Sequence, residues 1–158
     1  KDYDKNVQRT KDRPLASNKI KITSAILFLL FQLFIGLIIL IQFNKLTIIF
    51  GSLALIPVFI YPLMKRITWW PQVFLGITFN WGALLGWMSV SNNLSSVYPF
   101  LLYIACIFWT IGYDTIYAHQ DKDDDLLLNL KSSAIKLGEN TKYAMLIFYS
   151  IFFIYKIS

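Results

Sequence analysis

The sequence predicts an all-α protein, a polytopic transmembrane helical bundle, and three observations predict it. Hydrophobic residues make up 56% of the 158-residue chain against 15% charged, with a mean hydropathy of +0.53. The apolar residues fall in long runs: Ile22–Phe43, Leu46–Met64 and Ile67–Tyr113 carry no charge, and the polar middle of the last, Ser89–Ser96, divides it in two. The basic residues collect between these runs. A helix crossing a ~30 Å hydrocarbon core needs about 20 apolar residues, and only helices and closed barrels satisfy their backbone groups there. A soluble domain with four such helices in its core would need a polar outer layer that the remaining residues cannot supply.

The elements follow in order. The segment KDYDKNVQRTKDRPLASNKIK is polar throughout and carries no secretory signal pattern. The first span, Ile22–Phe43, holds Gln32. The second, Leu46–Met64, contains Pro57 and Pro62, each predicting a kink, because proline removes a helical hydrogen bond and its ring clashes with the preceding turn. The third, near Trp70–Ser89, starts at the pair Trp69–Trp70, which suits a membrane interface. It includes Asn80, which either lines a cavity as a substrate contact or hydrogen-bonds a neighbouring helix. It also includes Gly82 and Gly86, a GxxxG pair expected to pack closely. The fourth, near Val97–Tyr113, holds the single cysteine, Cys106, a small packing residue; disulfides and cysteine metal clusters are excluded. A last run, Tyr143–Tyr155, is too short to span comfortably. With no initiator Met and an end at Ser158, residues 1–158 are expected to form one membrane-embedded domain, incomplete at both ends.

Charge orients the spans. Of the 15 Lys and Arg, thirteen lie in the first, third and fifth connections (1–21, 65–66 and 118–142), leaving two elsewhere. The positive-inside bias places those three connections in the cytoplasm or its topological equivalent. This accounts for the pI near 9.4 without nucleic acid. The nine acids lie either in the first connection or from Asp114 onward, so the same rule gathers both acidic clusters on one membrane face.

Chemistry is expected there. Asp114, Tyr117, Asp121 and Asp125 are spaced to share one stripe, within about 80°, of a helix that continues the fourth span. Carboxylates so arranged repel unless a cation sits among them, and oxygen-only ligands suit a hard ion such as Mg²⁺, which combines one or two carboxylates with phosphate oxygens. An EF-hand starting at Asp121 is excluded, since Leu126 and Ser132 occupy its Gly and Glu positions. His119 lies off the stripe and reads as structural. In the first connection, Asp4 is able to join the metal site, and Arg9 and Arg13, one turn apart, offer forks suited to phosphate or carboxylate. A solvated acidic loop and basic residues that only anchor topology are the alternatives. A cation transporter would carry its acids deep inside the spans, where this chain has none.

KDYDKNVQRTKDRPLASNKI resembles the tail of the first aspartate-rich motif of the UbiA-type intramembrane prenyltransferases, roughly NDxxDxxxD followed by RTxxRPL. YDTIYAHQDKDDDLLLNLKSSAIKLGENT resembles the second, with its DxxYxxxDxxxD pattern and K-S-S-A, in the wording of the branch that prenylates 4-hydroxybenzoate. The resemblance implies a bundle of about nine spans. It implies Mg²⁺-dependent transfer of a polyprenyl group from its diphosphate to the ring of 4-hydroxybenzoate, ortho to the hydroxyl, in ubiquinone biosynthesis. It assigns Asp4 to the end of the first motif, and Asp114, Asp121 and Asp125, beside Tyr117, to the second. Asp4, Asp121 and Asp125 would then hold metal. Arg9, Arg13 and Lys131 become candidates for diphosphate or the benzoate carboxylate, and Trp81 or Phe79 for stabilising an allylic cation. The Asn and first two Asp of the first motif would precede Lys1, so the chain by itself is expected to be inactive. Another aromatic acceptor and a non-catalytic remnant are the rival readings. The expected location is a bacterial inner membrane, with a mitochondrial one as the alternative.

Overall fold

The computed structural model describes residues 11–157, and every regular element among them is helical. Among the described residues, four helical stretches are long and apolar enough to cross a membrane: Ile22–Leu40, Lys45–Ile67, Pro71–Ser91 and Tyr98–Ala118. The chain divides into two compact units, Lys1–Phe43 and Asn44–Ser158.

In the first unit, residues 11–20 form turns closed by bonds from Ser17 N to the Arg13 carbonyl and from Ile20 N to the Pro14 carbonyl. Pro14 precludes an uninterrupted helix, and Asn18 adopts a left-handed conformation (φ 59°) that its short polar side chain tolerates. Helix α1 (Ile22–Leu40) buries none of its residues, and Gln32 is exposed with the rest. A helix apolar on all sides has no preferred core face, as expected of one surrounded by lipid.

The second unit opens at Asn44, whose side chain accepts from Thr47 N at 2.9 Å to cap α2 (Lys45–Leu53). The second span is broken as its prolines require. After α2 come α3 (Leu55–Ile60), a 3₁₀ turn (Tyr61–Leu63) and α4 (Met64–Ile67). Pro57 and Pro62 each lack the N–H that would bond four residues back, so the ladder fails near Ala54 and again at the 3₁₀ turn.

The third span is broken too, although it has no internal proline. Pro71 starts α5 (Pro71–Phe79), and Asn80 separates it from α6 (Trp81–Ser91). The Asn80 amide donates to the Gly76 carbonyl (2.9 Å), to the Cys106 carbonyl (3.1 Å) and to Thr110 Oγ1 (2.8 Å). The hydrogen bonds to a neighbouring helix are present: Asn80 ties the break to α7 (Tyr98–Ala118). Trp81 is a second bracket, donating from Nε1 to the Phe50 carbonyl at 2.9 Å, whereas Phe79 is 71% exposed.

Close helix packing occurs at different glycines from those expected. A Cβ at Gly82 or Gly86 would meet nothing within 4 Å, and both instead line an apolar groove of about 730 Å³ with Trp87, Val90 and Leu102. The tight approaches are Gly76 against Ile107 and Gly112 against Tyr149. A GxxxG spacing makes a flat helix face, but which face meets a neighbour is decided by the whole helix. Here it is Gly76 that Asn80 and Tyr103, donating to the Ile77 carbonyl, draw against α7.

Beyond α7 come α8 (Lys122–Leu127), α9 (Ser133–Leu137), a 3₁₀ turn (Gly138–Asn140) and α10 (Thr141–Ile157). Over its 17 residues α10 is about 25 Å long. It packs along α7 through aromatic pairs, Trp109 with Tyr149 and Phe152, and Phe108 with Phe148. His119 is structural, as expected, meeting Thr141 Oγ1 at 3.1 Å and joining the end of α7 to the start of α10.

Candidate active site

The acidic residues do not continue α7 as one striped helix. The helix stops at Ala118, residues 119–121 turn, and Asp121 stands at the N-terminus of α8. Asp123, Asp124 and Asp125 then fill the first turn of a new helix, where its positive end favours carboxylates; a continuous helix would place them mid-run without that benefit. The turn corrects the expected stripe. Tyr117 is 60% exposed, edge-on to Tyr113 at 6.4 Å, while Asp125 is 3% exposed.

Lys65, at the end of the second span, meets Asp125. Its Nζ lies 3.1 Å from each carboxylate oxygen. Asp121 and Asp124 are within electrostatic reach of Asp125, and Lys65, Asp121 and Tyr61 are within reach of Asp114. The structure thus brings Asp114, Asp121 and Asp125 into one electrostatic group around a lysine. Burial pushes the Asp125 carboxyl up from its ordinary value, the charge and hydrogen bonds of Lys65 pull it down, and Asp121 and Asp124 raise it further. Burial is the largest of these effects.

The backbone that presents Asp125 is closely tied. Asp125 N bonds the Asp121 carbonyl and Leu130 N the Asp125 carbonyl, both at 2.8 Å. Asn129 takes a left-handed conformation (φ 53°) that ends the helical turn and reverses the chain. Lys131 N then donates to the Lys65 carbonyl at 2.8 Å, its Nζ donates to the Ile67 carbonyl at 3.0 Å, and the ammonium lies 5.7 Å from the Trp69 ring centre. The K-S-S-A segment follows. Ser132 caps α9 through Ile135 N, and Ser133 shares a 2.7 Å hydrogen bond with Thr115 of α7, both side chains fully buried. The loop is therefore seated against α7 by a dry hydroxyl pair.

Of the residues singled out from sequence, Asp4 and Arg9 lie outside the described residues. Arg13 belongs to the first unit. Lys131 is placed beside the group through the Lys65 and Ile67 carbonyls. Lys65 and Tyr61 were missed because they read as a topology signal and a span-end aromatic. The available clue was the charge rule itself, which puts Lys65–Arg66 on the same face as the acids.

The donor set fits a hard divalent cation, since Asp114, Asp121 and Asp125 offer oxygen alone, without sulfur or imidazole. Among the described residues no three His, Cys, Asp or Glu side chains converge as a complete metal site. Two of the described acids, Asp121 and Asp125, would supply the one or two carboxylates that Mg²⁺ takes beside phosphate oxygens.

Comparison with known proteins identifies the family. The profile described as the UbiA prenyltransferase family matches residues 1–157. The chain is 54% identical over 144 residues to the mitochondrial 4-hydroxybenzoate polyprenyltransferase of Drosophila pseudoobscura pseudoobscura, covering 90% of this chain and 36% of that protein. It is 51% identical over 142 residues to 4-hydroxybenzoate geranyltransferase 2 of Lithospermum erythrorhizon, covering 90% of this chain and 46% of that one. It therefore spans less than half the length of these relatives. The apo structure of a UbiA homolog from Aeropyrum pernix K1 superposes with a TM-score of 0.84 at 25% identity, over 98% of this chain and 59% of that one. On helices, acids and likeness together, the chain belongs to the UbiA prenyltransferase family.

Proposed function

We propose that the chain is part of a membrane prenyltransferase that moves a polyprenyl group from its diphosphate to the ring of 4-hydroxybenzoate, ortho to the hydroxyl, for ubiquinone biosynthesis. The observation that carries the reading is the grouping of Asp114, Asp121 and buried Asp125 around Lys65 where an apolar span ends. The acceptor is argued from the names of the two curated relatives. Bound Mg²⁺ would neutralise the charge that develops on the leaving diphosphate, with Asp121, Asp125 and Asp4 as the residues to hold it.

The chain's own groups do the rest. Asp114 and Asp121 order the cation side of the mouth, with Tyr61 within electrostatic reach of Asp114. Lys131, held at the Ile67 carbonyl, adds positive charge for the diphosphate or the benzoate carboxylate, and Arg9 and Arg13 are further candidates for that role. The apolar helices below the mouth exclude water from an allylic cation and accommodate the isoprenoid tail. Asn80 is assigned to helix packing rather than to substrate. The membrane is an inner membrane, and the mitochondrial name of a relative favours the mitochondrial alternative over a bacterial one.

A chimera tests the reading. This chain replaces the matching segment of the Drosophila pseudoobscura pseudoobscura protein, and membranes carrying it are supplied with Mg²⁺, a labelled polyprenyl diphosphate and 4-hydroxybenzoate. Prenylated 4-hydroxybenzoate is expected, and Asp121→Asn and Asp125→Asn in the chimera should each abolish it. An active chimera that ignores both substitutions sinks the assignment of the acids. One that prenylates only other aromatic acids replaces the acceptor.

A further inference from the structure

Building on the reading of the acids as a cation-dependent site, we infer that Lys65 is a resident counter-ion: its ammonium holds both Asp125 oxygens until a divalent cation takes them, and cation entry releases it. A carboxylate 3% exposed is costly without a positive partner, and Lys65 is the cation hydrogen-bonded to it, 3.1 Å from each oxygen. The two partners differ in their access to water. The Lys65 side chain is 40% exposed and that of Asp125 4%, so the ammonium can withdraw into solvent at little cost while the carboxylate stays.

The backbone permits the exchange. The Lys65 carbonyl is fixed by Lys131 N at 2.8 Å and the Asp125 backbone by Asp121 and Leu130, so the side chain swings on anchored supports. A lysine also suits the role better than an arginine would, being a compact charge on a flexible stem rather than a fork locked to both oxygens. With the ammonium gone, Asp125 still faces Asp121 and Asp124, and the local charge calls for more than one positive unit. The released ammonium regains an anionic partner when diphosphate arrives, so cation and diphosphate binding should reinforce each other.

The chain, carried in the full-length chimera and reconstituted in lipid nanodiscs, is treated briefly with acetic anhydride with and without millimolar Mg²⁺. Lys65 acetylation is read by peptide mass spectrometry against the exposed Lys136 and Lys142. Mg²⁺ should raise Lys65 labelling several-fold and leave the reference lysines unchanged, and Asp125→Asn should label fast at Lys65 without Mg²⁺. In parallel, Mn²⁺ titrations followed by electron paramagnetic resonance should show Lys65→Met binding the ion about tenfold tighter than the unaltered chain, the scale of an ordinary coupling between sites. If Mn²⁺ binds while Lys65 labelling ignores Mg²⁺, the counter-ion role is wrong and the cation site stands. If the unaltered chain binds no Mn²⁺, the cation-site reading falls and takes the counter-ion with it. Should Lys65→Met fail to fold, labelling of the unaltered chain decides the matter alone.

Discussion

Replacing Gly76 with alanine tests the contact that holds the third span to α7. The new Cβ would lie 3.1 Å from Ile107 Cγ2, 3.2 Å from the Ile107 carbonyl oxygen and 3.3 Å from Ile107 Cα. Two of these three atoms are backbone, so no side-chain rotation relieves the crowding, and the helices must part by a few tenths of an ångström. Overpacking of this kind costs about 1–3 kcal/mol, while exchanging glycine for alanine within a helix returns up to about 1 kcal/mol. The net effect is a loss of about 1 kcal/mol, or roughly 3 °C in Tm for a chain of this size. Separation would also stretch the Asn80 bonds to the Cys106 carbonyl and Thr110. Gly82→Ala is the control: nothing lies within 4 Å of its Cβ, so only the helical gain remains and stability should rise. The assay is thermal unfolding in detergent, followed by a thiol-reactive fluorophore at Cys106, the single cysteine, which sits on α7 across from the substituted face. If Gly76→Ala melts no lower than Gly82→Ala, the close approach is not a stabilising contact and the packing argument fails.

The remaining predictions concern the acidic group. Asp125 has its carboxyl pushed up by burial, so its contribution to stability is fully present below the unfolded-state value and is lost as pH rises through the folded one. At neutral pH the charged carboxylate therefore costs stability, and Asp125→Asn should melt no lower than the unaltered chain there, with its relative advantage shrinking in acid; a clearly lower Tm at neutral pH would contradict this. Thr115→Val leaves the Ser133 hydroxyl buried without a partner and should cost about 1–3 kcal/mol. Adding Ser133→Ala should recover part of that loss in the same melting assay, and a double variant as weak as the sum of the two singles would argue against the hydroxyl pair.

The number and order of the spans were legible in the sequence because their cause is local. A run of apolar residues without charge can only be stable in hydrocarbon as a helix, so Ile22–Leu40 and Tyr98–Ala118 appear almost where the runs begin. The kinks at Pro57 and Pro62 are local as well, since each proline removes its own hydrogen bond. The clustering of acids along the chain, in the first connection and from Asp114 onward, is equally legible in the sequence. What only the tertiary structure decided depends on pairs of residues far apart in the chain. The bond between Lys65 and Asp125 spans 60 positions, and no local pattern distinguishes a lysine that orients a helix from one that neutralises a buried carboxylate. The same holds for Gly76 rather than Gly82 at the tight crossing, and for Asn80 as a helix tie. The turn at residues 119–121 splits the expected stripe, and the chain reverses after Asn129 to bring Ser133 against Thr115, a pairing no local pattern announces. Hydropathy specifies which segments become helices, but the choice of facing side chains is a property of how the helices meet.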